Sequence, residues 1–468
     1  MKWRFDSEKL ADWTGGTWSA RPEGVSGFCH DTRKLQAGEM FVALKTERRD
    51  GHDFLDTARE LGATAALVSK IRKDIDLPQL EVGQVLPAFQ AIARGHRRRF
   101  QAPVAGITGS AGKTSTKDLL ALLLGRVSTL STPANENNLL GVPLTLSRLD
   151  ASRHQTAVIE AGISERGEMA RLATMISPDV AIVTLVASVH LEGLGSLEGV
   201  AYEKSLLPAA MAADGCAFFP ASCLRFSEFR AFGRRAVVTS ASTEEPRGNG
   251  SEQWVTYQTE TEEGGGARLT IVTASSPLPP LFLQPVGPGM VSNAVLAILA
   301  ALHMGVSVEQ IQPRLDQWQP STLRGQWIED GPRTLFADCY NASPPSMAEA
   351  LAVFTQRFPV EGQTPRLFLL GCMAELGAQA EAFHREAGRA LRLGPADQVL
   401  LIGESAEAFR EGLVEGGASA RQVALAESVD AMAEVLSTFA GAVLVKGSRR
   451  YGLEKLLPVT SSRGDEAC

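Results

Sequence analysis

A glycine-rich turn followed by lysine and threonine carries the clearest chemical signal in the sequence. In residues 103–124, PVAGITGSAGKTSTKDLLALLL, an apolar strand-like stretch enters the turn and a leucine-rich helix leaves it. Such a turn points successive backbone N–H groups and a helix N-terminus at an anion. A lysine there neutralises outer phosphates, and the next hydroxyl can ligate Mg²⁺. The predicted phosphate-binding residues are Gly109, Ser110, Ala111, Gly112, Lys113, Thr114 and Ser115.

The loop departs from the strict pattern G-x-x-x-x-G-K-[ST]. That pattern requires glycine at position 107, where this chain has Ile107, and Gly106 comes one residue early. The alternative is an ordinary strand–helix turn with a surface lysine. Because Gly-Lys-Thr falls where the helix begins, we favour a variant phosphate loop.

Two further candidates follow apolar strands. Glu160 ends the strand 156–160, and His190 comes four residues after the strand 180–186. Ligands of doubly wound sheets bind beyond the carboxyl ends of the strands, so both should lie near Lys113 and Thr114. A carboxylate, an imidazole and a hydroxyl beside phosphates suit Mg²⁺. The alternatives are a surface acid for Glu160 and a structural role for His190.

Lys204 lies on the apolar stripe of a predicted helix, 196–207, that Ser196 caps. On helical spacing alone, its side chain either extends along the apolar surface to solvent or is buried. Burial would lower its pKa and keep part of the amine neutral and nucleophilic.

Other polar groups could hold substrates. Asp31, Thr32 and Arg33 suit a ligand with hydroxyl and phosphate groups, although, taken alone, they are better explained by a solvated turn. Asn293 could cap a helix or hydrogen-bond a base edge. The remaining polar candidates follow predicted strands or occupy loops: Asn138, Arg324, Asp338, Asn341, Lys446, Ser448 and Arg449.

The alternation of short apolar strands with helices predicts an α/β protein with mostly parallel sheets. Its 468 residues are enough for several domains. We predict three: a small α/β domain at 1–84, a central phosphate-loop domain at 85–318, and a Rossmann-like domain at 319–468. We read the segment around 254–258 as a hairpin insertion within a polar, glycine-rich stretch.

The composition and the apolar pattern argue against several classes of function. A net charge of −7 argues against a generally basic nucleic-acid surface. No apolar run approaches the length of a membrane span, and the start of the sequence shows no signal peptide. The six cysteines have no zinc-type spacing. We therefore expect a cytoplasmic protein, monomeric, with reduced thiols.

Taken together and in order, the motifs resemble the Mur ligases. The resemblance spans residues 30–455 and rests on DTRK, FVALKTERRDGHDF, ITGSAGKTSTK, NENNLLGVPLTL, EAG, GEM, HLEGLGSLEGVAYEK, DCYNASPPSM, MAELG and KGSRRYGLE. The DCYNASPPSM and KGSR stretches point to the branch that adds D-Ala-D-Ala. The resemblance implies a UDP-sugar-binding domain, a central ATPase and a Rossmann-like ligase domain. It implies that ATP phosphorylates the carboxylate of UDP-MurNAc-tripeptide and that the amine of D-Ala-D-Ala attacks the acyl phosphate.

The resemblance also assigns roles. Thr114 and Glu160 would hold one Mg²⁺ ion, His190 would help hold a second, and Lys204 would become a carbamate that serves as a metal ligand. Asn293 matches an adenine contact, Asp338 a ribose contact and Arg324 an interdomain arginine near the phosphates. Lys113 would neutralise phosphate charge.

The chain departs from the family pattern at Gly289 and Met290, where His-Asn is usual, at Ala337, and at Cys372. These departures motivate one alternative to the ligase, a non-catalytic nucleotide-binding homologue. Another Mur- or folylpolyglutamate-synthase-like enzyme is a second alternative, against which the DCYNASPPSM and KGSR stretches argue. A phosphate-loop ATPase switch or kinase is a third, which gives Lys204 and the C-terminal domain no role.

Overall fold

The computed structural model describes residues 5–241, 252–262, 266–273, 276–284 and 286–458. Its strands form three sheets, each covered by helices, and each sheet is mostly parallel. The predicted three-unit α/β architecture is confirmed. No helix in these ranges combines the length and the apolar composition needed to cross a membrane.

The N-terminal sheet has the strand order β1-β5-β4-β3-β2, with only β1 antiparallel to its neighbour. Its strands are β1 Thr17–Trp18, β2 Phe28–Cys29, β3 Met40–Val42, β4 Ala65–Val68 and β5 Gln79–Glu81. The helices of this part of the chain are α1 Ser7–Thr14, α2 Leu55–Glu60 and α3 Val85–Arg97.

Helix α3 lies between the N-terminal and central sheets. Val85, Phe89 and Ile92 belong to the N-terminal core, whereas Ala93 belongs to the core of the central unit. At its end, Arg97 is buried and donates to the carbonyl of Ile176 at 2.9 Å. This contact joins the cationic end of α3 to the central unit.

The central sheet has the order β14-β13-β12-β11-β10-β9-β6-β8-β7. Its strands are β6 Val104–Thr108, β7 Thr129–Ser131, β8 Thr156–Glu160, β9 Val180–Val183, β10 Cys216–Pro220, β11 Ala236–Ser240, β12 Gln253–Thr261, β13 Ala267–Val272 and β14 Leu281–Leu283. Its helices are α4 Lys113–Leu124, α5 Gly141–Leu146, α6 Glu168–Ile176, α7 Leu191–Leu194, α8 Leu197–Ala209, α9 Ser227–Arg230, α10 Pro288–His303 and α11 Val308–Leu315.

The segment around 254–258 is part of this sheet. Strand β12 pairs parallel with β11 and antiparallel with β13, so the expected hairpin extends the main sheet instead of standing apart from it. Leu269 and Ile271 of β13 join the core that α4 and α10 cover, which explains the pairing.

Strand β6 lies between β8 and β9 at the middle of the central sheet, and all three run parallel. Their residues are almost all buried because helices cover both faces. The carboxyl ends of the three strands therefore open onto one crevice. The phosphate loop leaves β6 there, Glu160 ends β8, and the chain after β9 leads to His190.

The C-terminal sheet has the order β15-β16-β20-β17-β18-β19, with β15 antiparallel to β16. Its strands are β15 Gln326–Asp330, β16 Arg333–Asp338, β17 Arg366–Gly371, β18 Gln398–Ile402, β19 Val423–Leu425 and β20 Gly441–Lys446. Its helices are α12 Pro344–Arg357, α13 Ala380–Ala390, α14 Ala406–Glu415 and α15 Val429–Thr438.

A buried ion pair anchors one end of this sheet. Arg366 donates to the Asp397 carboxylate through Nε at 3.0 Å, and both side chains are buried. We expect Asp397→Ala to lower the free energy of unfolding by about 3–5 kcal/mol, because it leaves a guanidinium buried without its counter-charge. Scanning calorimetry of the transition that contains the C-terminal sheet measures this. The matched control is Glu411→Ala, which removes an exposed partner of Arg385 and should cost less than about 1 kcal/mol.

Candidate active site

The backbone of the phosphate loop requires glycine at two positions. Gly109 has φ +151° and Gly112 has φ +78°, both unfavourable for other residues. A Cβ on Gly109 would also overlap the hydroxyl of Thr184. The loop is held to the segment after β9, where Ser110 donates its N–H to the carbonyl of Leu185 at 2.8 Å. The variant loop therefore has a fixed, locally strained shape that presents the N-terminus of α4.

Lys113 folds back over this loop. Its Nζ donates to the carbonyl of Gly109 at 2.9 Å, and Arg324 lies near enough to act on it electrostatically. Burial lowers the pKa of Lys113 from its ordinary value, Glu160 opposes that shift, and Arg324 adds to it. The amine is thus held at the turn where phosphate oxygens would lie.

Glu160 has one occupied and one free carboxylate oxygen. Its Oε1 accepts from Asn137 Nδ2 at 2.8 Å and from the Thr114 hydroxyl at 3.2 Å. Its Oε2 is buried and has no hydrogen-bond partner. A buried carboxylate oxygen without a partner is costly unless a cation or a donor completes it.

The free Glu160 Oε2 and the adjacent Thr114 hydroxyl are hard oxygen donors of the kind Mg²⁺ prefers. The described part of the chain contains no cluster of three or more His, Cys, Asp or Glu side chains arranged to hold a metal. This agrees with Mg²⁺ chemistry, since that ion keeps several waters and takes few protein ligands beside substrate phosphates. The residues present therefore fit Mg²⁺ bound together with a nucleotide.

Lys204 is buried in α8, with 1% of its surface exposed. Burial is the main cause that places its pKa well below the ordinary lysine value, and the charge of Lys113 lowers it further. The neighbouring Glu203 opposes the shift, but its Oε1 is engaged by the N–H of Gly167 at 2.8 Å. The side chain does not extend to solvent, so the buried alternative is the one the structure shows.

His190 connects the central unit to the C-terminal unit. It adopts a left-handed conformation with φ +51°, and its Nδ1 contacts the carboxylate of Glu375. The N–H of Leu191 donates to the carbonyl of Glu375 at 3.0 Å. With Nδ1 engaged, Nε2 is the ring nitrogen left for another ligand.

The opposite wall comes from the C-terminal unit. Arg324 stacks on the ring of Tyr340 at 4.0 Å, and Arg449 lies over the same ring at 5.6 Å. Lys446 is buried, and its Nζ donates to Asp338 Oδ2 and to the carbonyl of Asn341, both at 2.8 Å. Lys446 therefore holds the ends of β16 and β20 together beside the cavity.

One cavity of about 850 Å³ lies between the central and C-terminal units. Most of the predicted site residues line it: Ser110, Ala111, Gly112, Lys113, Thr114, Ser115, Asn138, Glu160, His190, Asn293, Arg324, Asp338, Asn341, Lys446 and Ser448. Six are not among its lining residues: Gly109, which accepts from Lys113; Lys204, which is buried in α8; Arg449, which lies beside Tyr340; and Asp31, Thr32 and Arg33, which belong to the N-terminal unit.

Family models match three consecutive parts of the chain. They are the Mur ligase family catalytic domain at residues 25–108, the Mur ligase middle domain at 107–301, and the Mur ligase glutamate ligase domain at 323–449. The UDP-N-acetylmuramoyl-tripeptide–D-alanyl-D-alanine ligase of Escherichia coli K12 is 34% identical over 93% of both chains. The chain belongs to the Mur ligase family. The Bacillus subtilis 168 enzyme of the same name is 29% identical over 92% of both chains.

Solved structures agree with this assignment. A crystal structure of MurF from Acinetobacter baumannii superposes on this Mur ligase with a TM-score of 0.83 and 28% identity, covering 97% of this chain and 98% of that one. MurF from Thermotoga maritima in complex with ADP shares the fold, with a TM-score of 0.75 at 24% identity.

Two predicted polar residues of this Mur ligase have local structural partners. Asn138 Oδ1 accepts from the N–H groups of Leu140 and Gly141 at 3.0 and 2.8 Å, at the start of α5. Asp31 accepts from Arg33 Nε at 2.9 Å, and this hydrogen bond is the main reason its pKa falls to about 2. These local hydrogen bonds account for an asparagine at 138 and an aspartate at 31 without any role in substrate binding.

Asn293 does not cap a helix in this Mur ligase. It lies in the second turn of α10, and its side chain occupies the space beside Gly112 that a Cβ would fill. The base-edge alternative therefore remains for Asn293, whereas the capping alternative is wrong.

Three site residues are absent from our sequence-based candidates: Asn137, Glu375 and Tyr340. Asn137 stands beside Asn138 in the polar loop, so only the hydrogen bond to Glu160 distinguishes the two. Glu375 and Tyr340 lie in motifs that we identified, MAELG and DCYNASPPSM. Their contacts with His190 and Arg324 join segments far apart in the sequence, which no local pattern indicates.

Proposed function

We propose that this chain is an ATP-dependent ligase that joins D-Ala-D-Ala to UDP-MurNAc-tripeptide, a step of peptidoglycan precursor synthesis. The observation that carries the proposal is the shared cavity, in which the phosphate loop and Glu160 face Arg324 and Lys446. Similarity to the E. coli ligase over 93% of both chains supports the same reaction. The ADP named in the T. maritima structure supports adenine nucleotide use.

The reaction has two steps. An oxygen of the tripeptide carboxylate attacks the γ-phosphorus of ATP, the bond to the β,γ-bridging oxygen breaks, and ADP leaves. The amine of D-Ala-D-Ala then attacks the acyl carbon, a tetrahedral intermediate forms, and phosphate departs as the C–O bond breaks and the amine loses its proton. Phosphoryl transfer needs positioning and charge neutralisation above all, and Lys113 and Arg324 supply positive charge at one end of the cavity.

Thr114, Glu160 and His190 would hold Mg²⁺, in two sites, with a carbamylated Lys204 as a further ligand. Bound there, Mg²⁺ neutralises phosphate oxygens as negative charge develops. The carbamate forms when the neutral amine of Lys204 adds to CO₂ and releases a proton. Burial favours this addition because it lowers the pKa of the amine and so keeps the amine neutral and nucleophilic, and the resulting anion would lie near the charge of Lys113.

The other assignments follow the positions of the residues. Asn293, on the phosphate-loop side, would contact the base, and Asp338 the ribose. We assign substrate contacts to Asn138, Asn341, Lys446, Ser448 and Arg449 across the cavity, and the UDP-sugar contacts to Asp31, Thr32 and Arg33 in the N-terminal unit.

We retain the domain limits 1–84, 85–318 and 319–468 as part of the proposal, together with a monomeric state and a cytoplasmic location. Five cysteines in the described ranges are free and buried, as reduced thiols would be: Cys29, Cys216, Cys223, Cys339 and Cys372.

Phosphate release from ATP tests the proposal directly. With UDP-MurNAc-tripeptide and Mg²⁺ present, release should require D-Ala-D-Ala and should match the peptide product mole for mole. Release that is independent of D-Ala-D-Ala would indicate an ATPase or another ligase. No release under any combination would indicate a non-catalytic homologue. The control omits the tripeptide substrate, and release should then stop.

A further inference from the structure

Helix α10 has no cap of its own. It begins at Pro288 after Gly287, which offers no side chain, and its first turn contains no acidic residue. The N–H groups at a helix start need acceptors from elsewhere. Glu349, on α12 of the C-terminal unit, supplies one: its Oε1 accepts from the N–H of Gly289 at 2.8 Å, and the N–H of Met290 also bonds to this carboxylate.

The two glycines allow α12 to approach. A Cβ on Gly287 would overlap Glu349 Oε1 and Val353 Cγ2, and a Cβ on Gly289 would lie 3.1 Å from the Glu349 carboxyl carbon. The backbone itself does not demand glycine at either position, because Gly287 is extended with φ −76° and Gly289 is helical. The close approach of the C-terminal unit, and not the backbone conformation, therefore explains why glycine stands at both positions.

The capped helix reaches the phosphate loop one turn later. Asn293, on the same helix, packs against Gly112, and the two helices α10 and α4 share a buried core. A shift of the α10 N-terminus would therefore move Asn293 relative to the loop that holds Lys113.

We propose that Glu349 is a positioning residue that caps α10 from the C-terminal unit and so fixes Asn293 against the phosphate loop when the two units meet. It acts through α10 and contacts no reacting atom. The inference rests on the proposed function, because it makes nucleotide affinity depend on the position of the C-terminal unit. Gly289, one of the positions at which the chain departs from the family pattern, is where this carboxylate approaches the helix most closely.

The test uses two variants of the full-length chain that break the contact from opposite sides. Glu349→Ala removes the acceptor, and Gly287→Ala places a methyl group where α12 packs. In both, backbone amides at 289 and 290 should exchange with solvent about tenfold faster, and a non-hydrolysable ATP analogue with Mg²⁺ should bind about tenfold more weakly. Hydrogen–deuterium exchange and titration calorimetry measure these effects without any turnover.

Two further variants separate positioning from general destabilisation. Glu349→Gln keeps an acceptor oxygen and should stay within about threefold of the parent for both readouts. Gly83→Ala adds a methyl group where nothing lies within 4 Å and should change neither. The double variant Gly287→Ala/Glu349→Ala should show no faster exchange and no weaker analogue binding than the more impaired single variant, because both substitutions disrupt the same contact.

The proposal is overturned if Glu349→Ala leaves exchange at 289–290 and analogue affinity unchanged, or if Glu349→Gln is as impaired as Glu349→Ala. Because neither readout requires ligation, this failure differs from failure of the proposed function, which would appear as phosphate release without dependence on D-Ala-D-Ala in the parent protein.

Discussion

Replacing Lys204 with alanine should lower the rate of D-Ala-D-Ala-dependent phosphate release by about a hundredfold to a thousandfold. The residue is fully buried near Lys113, so its loss removes the anionic ligand that its carbamate would provide. A short carboxylic acid such as acetate or propionate should restore part of the activity, since it can place a carboxylate in the space the side chain leaves.

The carbamate has a second readout. Protein equilibrated with ¹³C-bicarbonate should show a carbamate carbon resonance that Lys204→Ala lacks. Lys70→Ala, which removes an exposed lysine, is the control and should change neither rate nor spectrum. Full activity of Lys204→Ala without added bicarbonate or carboxylate would exclude the carbamate.

Glu160→Gln should lower the rate of phosphate release by a similar factor, but for a different reason. Its Oε1 contacts to Asn137 and Thr114 can persist, whereas the unpartnered Oε2 position receives an amide nitrogen that cannot ligate a metal. We expect phosphate release to fall by about a hundredfold to a thousandfold. Binding of Mn²⁺ with a nucleotide, followed by electron paramagnetic resonance, should weaken in parallel.

A matched carboxylate outside the cavity controls for the loss of charge. Glu228, on α9, is partly exposed and accepts a hydrogen bond from the adjacent Ser227 hydroxyl at 3.2 Å, and Glu228→Gln should leave both readouts unchanged. If Glu160→Gln lowers the rate but keeps full Mn²⁺ affinity, Glu160 acts on the reaction without binding the metal.

The sequence alone predicts the features that depend on a few consecutive residues. The strand before the phosphate loop, the glycines that turn it, and the strand that ends at Glu160 follow from apolar runs and turn residues over a few positions. Placement of Glu160 and His190 on one edge also follows, because β8 and β9 flank β6 in parallel.

The sequence alone does not predict contacts between residues that lie in different units of the fold. Glu375 meets His190 and Glu349 meets Gly289 only because the C-terminal unit packs over the central crevice. The choice between an exposed and a buried Lys204 likewise depends on what covers α8, and helical spacing fits both.

The backbone requirements at Gly109 and Gly112 limit the substitutions by which this protein could become resistant to an inhibitor. A side chain at either position meets an unfavourable backbone angle and a neighbour, the hydroxyl of Thr184 or the amide of Asn293. A compound that hydrogen-bonds to the backbone of this loop therefore contacts positions at which resistance substitutions are poorly tolerated. A compound that depends on the side chain of Met290 has no such protection, because a helical position at the cavity wall accepts many residue types.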